Sequence, residues 1–421
     1  MLSASKIVRA LSLGLLVALS SCGGGAPGDT QAGANPNNTG GVGTGGTGSY
    51  TNGPISGLGS IILNSVNRVR YDVDQALLNG KVIEDDGTSV PSGFNFGLGM
   101  VVEVDGSDFT ASASSSSYAY DATATRVRLR SDLIGPVSAI NPISGAVTSV
   151  TVLGQTVNIN SRTVMPTALA TGDVVVVYGL SDSTGFTATR IDKPSVSPVV
   201  YKIAALVNRV DSGAGSKLIY LGQGSGLAVS YQALSDGFPD GVEVGARVRV
   251  WFLPTKVGGN WSATRVDVDR ALVQDTRDAS LEGLLTQLRD INGLIKVNGA
   301  PVDVSGISPL PTLVLGQRVE VEGRMQGGIL VARELSIEDE SDDEETSLEL
   351  HGQLSLLDTS ADTFVVRGTV VRYTTSLVNE SALSVLPSPC VEVHGKQLNA
   401  QGELVATEIE VKGTCEDDDD D

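Results

Sequence analysis

The stretch GDVVVVYG at residues 172–179 belongs to a pattern that determines the fold. The pattern is Gly-x-x-Val-x-Val-x-Gly, in which x stands for any residue. The same spacing recurs as GMVVEVDG (99–106), GARVRVWF (245–252), GQRVEVEG (316–323) and SPCVEVHG (388–395), with Phe252 in place of the second glycine and Ser388 in place of the first. The first positions of consecutive copies lie 73, 73, 71 and 72 residues apart. A period that is kept over five copies indicates a tandem repeat.

Each copy is followed by a second stretch in which apolar and polar residues alternate. These stretches read ATRV (124–127), ATRI (188–191), ATRV (263–266), ARELS (332–336) and ATEIE (406–410). Alternation on both sides of a Gly- or Ser-containing turn predicts a β-hairpin with one buried face. An earlier hairpin in each unit brings the total to about five short strands per repeat.

So few strands bury a face only if their sheet closes on itself. We therefore predict an all-β fold, a tandem array of about five small OB-like β-barrels that follows a lipoprotein signal peptide and a flexible linker. A parallel β-solenoid is the competing architecture, but its rungs repeat every ~20–30 residues. Aromatic residues make up only 4% of the chain, which predicts small cores that need contacts between units.

The N-terminus predicts export and lipid anchoring. Lys6 and Arg9 precede an apolar core at residues 11–19, which is shorter than the roughly 18 residues of a membrane span. LSSC at 19–22 resembles the bacterial lipobox, in which the cysteine is diacylated and becomes the mature N-terminus. The resemblance implies that Cys22 carries the lipid, and Gly23 after it favours the outer membrane, on its periplasmic or cell-surface side. A cleaved signal with a chance cysteine is the alternative.

Composition and repeat spacing together predict nine segments. In chain order they are a signal peptide (1–21), a flexible Gly-rich tether (22–52), barrel 1 (53–131), barrel 2 (132–197), barrel 3 (198–278), barrel 4 (279–337), an acidic linker (338–345), barrel 5 (346–414) and an acidic tail (415–421). The tether has almost no apolar side chains and cannot offset its own ordering entropy.

Several of these motifs resemble those of a known family. They are GPISGLGSIILN (53–64), GPV (135–137), VTVLGQTV (150–157), GDV (172–174) and ATRI (188–191). Together they resemble a family of bacterial secreted lipoproteins with tandem OB-like β-barrel domains of unknown function. The resemblance covers about residues 53 to 413. It implies a fold and an envelope location, and it supplies no catalytic residues.

The charge balance restricts the partners. The chain has 29 Lys and Arg against 49 Asp and Glu, a net charge of -20. Nucleic acid is not expected as a partner, because its binding depends on basic side chains. Acids are concentrated at 338–345 and 416–421, where a solvated linker and tail is the simplest interpretation and weak attraction of divalent cations is the functional one.

Two cysteines flank the last predicted hairpin. Cys390 precedes its first strand and Cys415 follows its second, so we predict a disulfide between them in an oxidising compartment. His351 and His394 are the two histidines of the chain. With Cys390 and Glu349 they could form a metal site, but no known ligand spacing is present and we expect no metal or cofactor.

Basic and aromatic residues offer two candidate surfaces. Five arginines lie at alternating strand positions, where cross-strand ion pairs are expected and an anionic polysaccharide surface is the functional alternative; they are Arg126, Arg128, Arg130, Arg190 and Arg265. Trp251 and Trp261 lie on the two strands of one hairpin, so we expect them to form a cross-strand pair, with a sugar-stacking platform as the alternative.

No catalytic motif is recognisable, so no catalytic residue is predicted. We expect a non-enzymatic, lipid-anchored protein of the cell envelope, a multivalent spacer and binding array for envelope proteins or extracellular polysaccharide. A purely structural or assembly factor is the alternative. An envelope hydrolase with unrecognised carboxylates is a further one, because only the separation of such carboxylates in space is diagnostic.

Overall fold

A computed structural model describes residues 47–412 and 415, except for 66, 114–116, 143–145, 167, 182–184, 195–197, 214–216, 235–237, 239–241, 269–273, 339–347, 386 and 400. The predicted lipid site Cys22 lies outside the described residues, as do the signal peptide and nearly all of both acidic runs. Within the described residues, no helix has the length and apolar character that a membrane span requires.

Barrel 1 contains the most elements. They are Ser49–Leu58 (β1), Ile61–Leu63 (β2), Val69–Asp72 (β3), Asp74–Leu78 (α1), Val82–Ile83 (β4), Val101–Gly106 (β5), Thr110–Ala111 (β6) and Tyr120–Leu129 (β7). The helix α1 and strands β4 and β6 are additions to the five-strand pattern.

The other four barrels have five strands each. Barrel 2 has Leu133–Asn141 (β8), Ser149–Val152 (β9), Gln155–Asn158 (β10), Val174–Ser181 (β11) and Phe186–Asp192 (β12). Barrel 3 has Tyr201–Asp211 (β13), Leu218–Leu221 (β14), Leu227–Ser230 (β15), Arg247–Phe252 (β16) and Trp261–Val268 (β17). Barrel 4 has Thr276–Gln287 (β18), Leu294–Val297 (β19), Ala300–Asp303 (β20), Arg318–Gln326 (β21) and Ile329–Ile337 (β22). Barrel 5 has Leu348–Asp358 (β23), Thr363–Val366 (β24), Thr369–Arg372 (β25), Glu380–Leu383 (α2), Cys390–Leu398 (β26) and Leu404–Lys412 (β27).

The strands of each repeat close into a small barrel. In barrel 2, β8, β9 and β10 form an antiparallel meander, β10 pairs in parallel with β12, and β11 joins β12 to β8. The same closed order is found in barrels 3, 4 and 5. This is the five-stranded order of an OB-like barrel, so the predicted fold class is confirmed.

The glycines of the repeat signature have structural reasons. Gly172 lies just before the fourth strand and has φ +97. Residues with a side chain rarely adopt this left-handed backbone conformation. Gly179 lies at a bulge, where an added Cβ would stand 2.3 Å from the carbonyl oxygen of Thr187 on the fifth strand. Equivalent bulges lie at Gly106, Gly323 and Gly395. The signature therefore encodes barrel closure.

The first strands of the barrels also pair with one another. Residues 49–52 of β1 pair in parallel with 278–281 of β18, and residues 57–58 of β1 pair in parallel with 349–350 of β23. Residues 133–134 of β8 pair with 202–203 of β13. Barrel 1 is thus joined by backbone hydrogen bonds to barrels 4 and 5, which are distant from it in sequence.

Burial follows the same grouping. One hydrophobic core combines side chains of barrels 1 and 5, a second combines those of barrels 2 and 3, and barrel 4 has a core of its own. Val, Leu and Ile fill these cores, as the alternating pattern predicts. The small cores expected from the scarce aromatic residues are therefore enlarged by sharing between barrels.

Two predicted segment boundaries are wrong by a few residues. Strand β1 begins at Ser49, so residues 49–52 belong to barrel 1 and not to the tether. Strand β18 begins at Thr276, so residues 276–278 belong to barrel 4. In both cases the strand is extended by pairing with another barrel, which the local sequence pattern does not show.

Candidate functional site

Two cavities of similar size lie where barrels meet. Cavity A has a volume of about 390 Å³ and is lined by residues of barrels 1, 3 and 4, with Asp132 and Gly179 from barrel 2. Cavity B has a volume of about 450 Å³ and is lined by residues of barrels 1, 2, 4 and 5. Both volumes lie within the range of small-molecule sites.

Charged side chains dominate the wall of cavity A. Six arginines and six carboxylates line it: Arg126, Arg128, Arg130, Arg247, Arg249, Arg265, Asp85, Asp86, Glu103, Asp105, Asp132 and Asp267. Eight of them lie at strand positions that alternate with core residues, so the period of two places them on the outer faces of the barrels; Asp85, Asp86, Arg130 and Asp132 lie outside the strands.

In barrel 1 the fourth strand supplies acids and the fifth supplies bases. Glu103 lies opposite Arg128 and Asp105 lies opposite Arg126 in the pairing of β5 with β7. The Arg126 guanidinium approaches Asp105 to 2.5 Å, and Arg128 and Arg130 approach Glu103 to 2.8 and 3.1 Å. Two arginines thus share the carboxylate of Glu103. The expected cross-strand ion pairs are present here.

Barrel 3 faces this surface with arginines on its fourth strand and with both an arginine and an aspartate on its fifth. Its fourth strand supplies Arg249, which lies opposite Asp267 of the fifth strand, and Arg265 forms an ion pair with Asp267 at 2.5 Å. Arg265 also donates to the backbone carbonyl of Asp86 in barrel 1, at 2.6 Å.

A buried ion pair joins barrels 1 and 3 at the edge of cavity A. Lys202 has no exposed surface and binds the carboxylate of Asp85, and Arg249 approaches the same carboxylate to 3.5 Å. Lys202 also donates to the carbonyl and hydroxyl oxygens of Ser131 and lies 5.7 Å from the ring centroid of Trp251. Such pairs are costly to break, because one charge would remain buried alone.

Apart from Asn52 and Asn298, the uncharged lining of cavity A is mainly apolar. Its further lining includes Tyr50, Ile83, Val101, Leu281, Met325 and Leu330. Planar hydrogen-bonding groups above an apolar surface can hold a polar ligand that has apolar faces. The cavity can bind such a molecule, while five of its six carboxylates are held in ion pairs with arginines and are poorly placed for proton transfer.

Cavity B is mainly apolar, with a charged end. Ile55, Val164, Leu180 and Leu284 are among its apolar lining residues. Its charged lining residues are Arg162, Arg318 and Glu338.

Three glutamates of barrel 4 cluster at this charged end. The carboxylates of Glu282, Glu320 and Glu338 offer oxygens within 4.8 Å of one another, a spacing that suits a cation. Arg318 already occupies this place, because its Nε donates to Glu282 at 2.6 Å. Burial and the neighbouring Glu282 raise the pKa of Glu338 to about 7, which reduces the repulsion within the cluster.

A loop of barrel 1 closes over the cluster. The backbone N–H of Ser65 donates to Glu320 at 3.3 Å and that of Asn67 at 3.2 Å, while the Ser65 hydroxyl donates to Glu282 at 3.1 Å. Glu282 and Glu320 are 0% and 1% exposed. The cluster therefore joins barrels 1 and 4, and its two buried carboxylates are closed to a ligand.

Comparison with known families supports this domain structure. Residues 134–192, 282–336 and 351–410 each match the model of a family described as Domain of unknown function (DUF5666). The chain contains this domain in tandem. The three matches fall on barrels 2, 4 and 5, so the DUF5666 domain corresponds to one closed barrel. No curated protein matches the chain.

In the last DUF5666 domain, the structure joins Cys390 to Cys415 by a disulfide, with Cα atoms 5.2 Å apart. The two histidines lie in separate surroundings. His351 Nε2 is 3.4 Å from Cys390 Sγ, whereas His394 Nε2 is 3.0 Å from Glu392. Because Cys390 is in a disulfide, it is not a thiolate ligand for a metal. Glu349, the fourth candidate ligand, instead binds Arg68 of barrel 1 at 3.3 Å.

The predicted tryptophan pair is wrong. Trp261 packs in the core with Tyr201 and Phe252, at centroid distances of 5.7 and 5.2 Å. Trp251 lies on the other face of the hairpin, where Arg265 is 5.0 Å from its ring centroid. A bulge between Trp251 and Phe252 shifts the register, and the sequence gives no sign of that bulge because Phe252 replaces the usual glycine.

Of the five predicted arginines, four line cavity A. Arg190 of barrel 2 instead binds Asp192 at 2.7 Å and donates to the Leu98 carbonyl of barrel 1 at 3.0 Å. Sequence reasoning missed Lys202 and Asp85, which join the barrels. In the sequence, Lys202 stands out only as a charge within an apolar strand, and Asp85 only as a charge in an insertion of barrel 1. Neither feature reveals a partner in another barrel.

Proposed function

We propose that this chain is a non-enzymatic binding protein of the cell envelope that holds an extracellular polysaccharide at cavity A. One observation supports the choice of polysaccharide over an envelope protein. Cavity A combines guanidinium and carboxylate groups with an apolar surface, inside a cleft rather than on a flat face. Sugar rings have hydroxyl groups at their edges and apolar faces, so this lining is complementary to them.

The arrangement of the barrels is consistent with a binding role. Cavity A is lined by residues of four barrels, which are joined by strand pairing and by the buried Lys202–Asp85 pair. A site held by such contacts loses little conformational freedom when a ligand binds. Multivalent binding would then come from several protein molecules on one polymer.

The proposed location is the outer membrane, through a lipid on Cys22, with the periplasmic or the cell-surface side left open. The LSSC sequence at 19–22 supports it. In cells, Cys22→Ala should move the protein from the membrane fraction to the soluble fraction; unchanged sedimentation would contradict the anchor. The acidic runs would add weak attraction of divalent cations.

Filling cavity A tests the binding function. Pro301 of β20 lines the cavity, and Val370 takes the same register position in barrel 5, outside cavity A. The full chain would be tested on an array of neutral and acidic extracellular polysaccharides. We expect Pro301→Trp to abolish binding and Val370→Trp to preserve it. If the unmodified chain retains no polysaccharide, the binding function is wrong and the structural or assembly role becomes the better proposal.

A hydrolase is the second candidate, and one observation favours it. Glu338 lines cavity B, and its pKa of about 7 beside Glu282 is suited to a general acid. The separation of at most 4.8 Å and the burial of Glu282 oppose this role. Release of reducing sugar that is lost in Glu338→Gln would support the hydrolase.

A further inference from the structure

We propose that the ligand of cavity A is an acidic polysaccharide whose sugar carboxylates bind the guanidinium groups of Arg126 and Arg128 at the mouth of the cavity. This inference rests on the proposed binding function and adds the chemical class of the ligand. It is carried by the exposure, bonding and charge of the cavity's arginines.

The first step is accessibility. The side chains of Arg126 and Arg128 are 49% and 30% exposed, and that of Arg265 across the cavity is 45% exposed. Arg130, Arg247 and Arg249 are only 10–11% exposed. The cavity therefore has buried arginines that hold barrels together and exposed arginines at its mouth.

The second step is the hydrogen bonds that remain. Arg126 uses Nε and Nη2 for Asp105, and Arg128 uses Nη1 for Glu103. Within the part of the chain that the structure describes, these are their polar contacts, so Nη1 of Arg126 and Nε and Nη2 of Arg128 remain as donors. A guanidinium edge with two parallel N–H groups matches the two oxygens of a carboxylate.

The third step is charge. The chain carries 29 basic against 49 acidic residues, whereas six arginines face six carboxylates in cavity A. Two carboxylates, Glu103 and Asp85, are each shared by two cations. The cavity wall is charge-balanced within a protein of net charge -20, so it repels an anionic sugar less than the rest of the surface does.

The fourth step is the repeat itself. Arg126 and Arg265 occupy the same position in the ATRV stretches of barrels 1 and 3, and both reach cavity A. In barrels 4 and 5 that position is Glu334 and Glu408. The convergence of two equivalent arginines creates one site from two repeats.

The test is calorimetric titration of the full chain with trigalacturonate and, as a matched neutral ligand, its methyl ester. We expect the acid form to bind at least tenfold more tightly than the ester, and binding to weaken as salt increases. Arg126→Gln/Arg128→Gln should weaken binding of the acid form at least tenfold. Arg277→Gln, an exposed arginine paired with Asp108 outside the cavity, should change it less than twofold.

The outcomes separate the two proposals. If acid and ester bind equally, the acidic ligand class is wrong while polysaccharide binding stands. If neither binds and the array is also negative, both are wrong. If the acid form binds but the double Gln variant binds as well as the unmodified chain, the arginine site is wrong. Arg126→Lys/Arg128→Lys retains both charges and removes the forked geometry, so its intermediate affinity would support recognition by guanidinium rather than by charge alone.

Discussion

Glu103 and Glu320 occupy the same position of the repeat, between the two valines of the fourth strand, yet their surroundings differ completely. Glu103 faces cavity A, where its carboxylate binds Arg128 and Arg130. Glu320 is 1% exposed beneath the loop at Ser65, and accepts two backbone N–H groups. The repeat provides an outward-facing position, and the neighbouring barrel determines whether that position becomes part of an open site or of a closed junction.

The same difference extends to the cavities. Cavity A retains arginines of 30–49% exposure at its mouth, whereas cavity B ends in carboxylates that Arg318 and a barrel 1 loop already bind. This difference is the reason that we propose ligand binding at cavity A, whereas the glutamate cluster of cavity B joins barrels 1 and 4.

The comparison first predicts that substitution of the two equivalent glutamates changes the free energy of unfolding by very different amounts. Glu320→Leu leaves the N–H groups of Ser65 and Asn67 buried without acceptors, so it should lower the free energy of unfolding by about 2–5 kcal/mol. Glu103→Leu is the matched comparison. It leaves Arg128, which is 30% exposed, in contact with water but Arg130, which is 11% exposed, without this carboxylate, so it should cost less, about 1–3 kcal/mol. Urea unfolding of both variants measures the difference. Equal costs would show that the two positions are energetically alike.

The next prediction concerns Glu338, whose ionisation makes the free energy of unfolding depend on pH. Burial and Glu282 raise its pKa in the folded chain to about 7, against 4.5 for the unperturbed group. The stability that protonated Glu338 supplies is therefore fully present below pH 4.5 and is lost as pH rises through 7. At about 1.4 kcal/mol per pKa unit, this loss amounts to about 3.5 kcal/mol.

Glu338→Gln should remove this part of the pH dependence and leave the variant more stable than the unmodified chain at pH 8. Unfolding curves at pH 5, 6, 7 and 8 measure it. Glu322, whose pKa burial and Glu334 also raise to about 7, contributes a similar slope, so Glu322→Gln is a useful second variant. Parallel profiles for the unmodified chain and Glu338→Gln would show that Glu338 is ionised in both states.

The sequence predicts the barrel well and the junctions poorly, for a physical reason. Gly172 and Gly179 reflect local requirements, a left-handed turn and a bulge; glycine occupies each of these positions in four of the five repeats, so the requirements are visible in the sequence. The contact of Lys202 with Asp85 joins residues 117 positions apart, and it occurs once. Nothing periodic marks it, and nothing in the alternation of β18 distinguishes Glu282 as a buried residue.

The candidate site was predicted in part for the same reason. Arg126 and Arg265 were visible as charges on an outward strand face, because strand alternation fixes the side of the sheet. Their meeting at one cavity depends on which barrels dock, and docking is set by first-strand pairing such as that of β1 with β18. A single sequence shows which residues lie on each face of a barrel. It does not show which other barrel packs against that face.

The smallest effect is expected at the mouth of cavity A. Arg126→Gln removes an ion pair whose arginine is half exposed, and such pairs contribute about 0.2–1 kcal/mol because water and salt screen them. The matched substitution in cavity B, Arg318→Gln, leaves Glu282 buried without its cation and should cost about 3–5 kcal/mol. Thermal unfolding at low and high salt distinguishes the two, since only the Arg126 pair should be sensitive to ionic strength. If Arg126→Gln destabilised the chain as strongly as Arg318→Gln, the arginines at the mouth would be structural, and cavity A would be a junction like cavity B rather than a site open to a ligand.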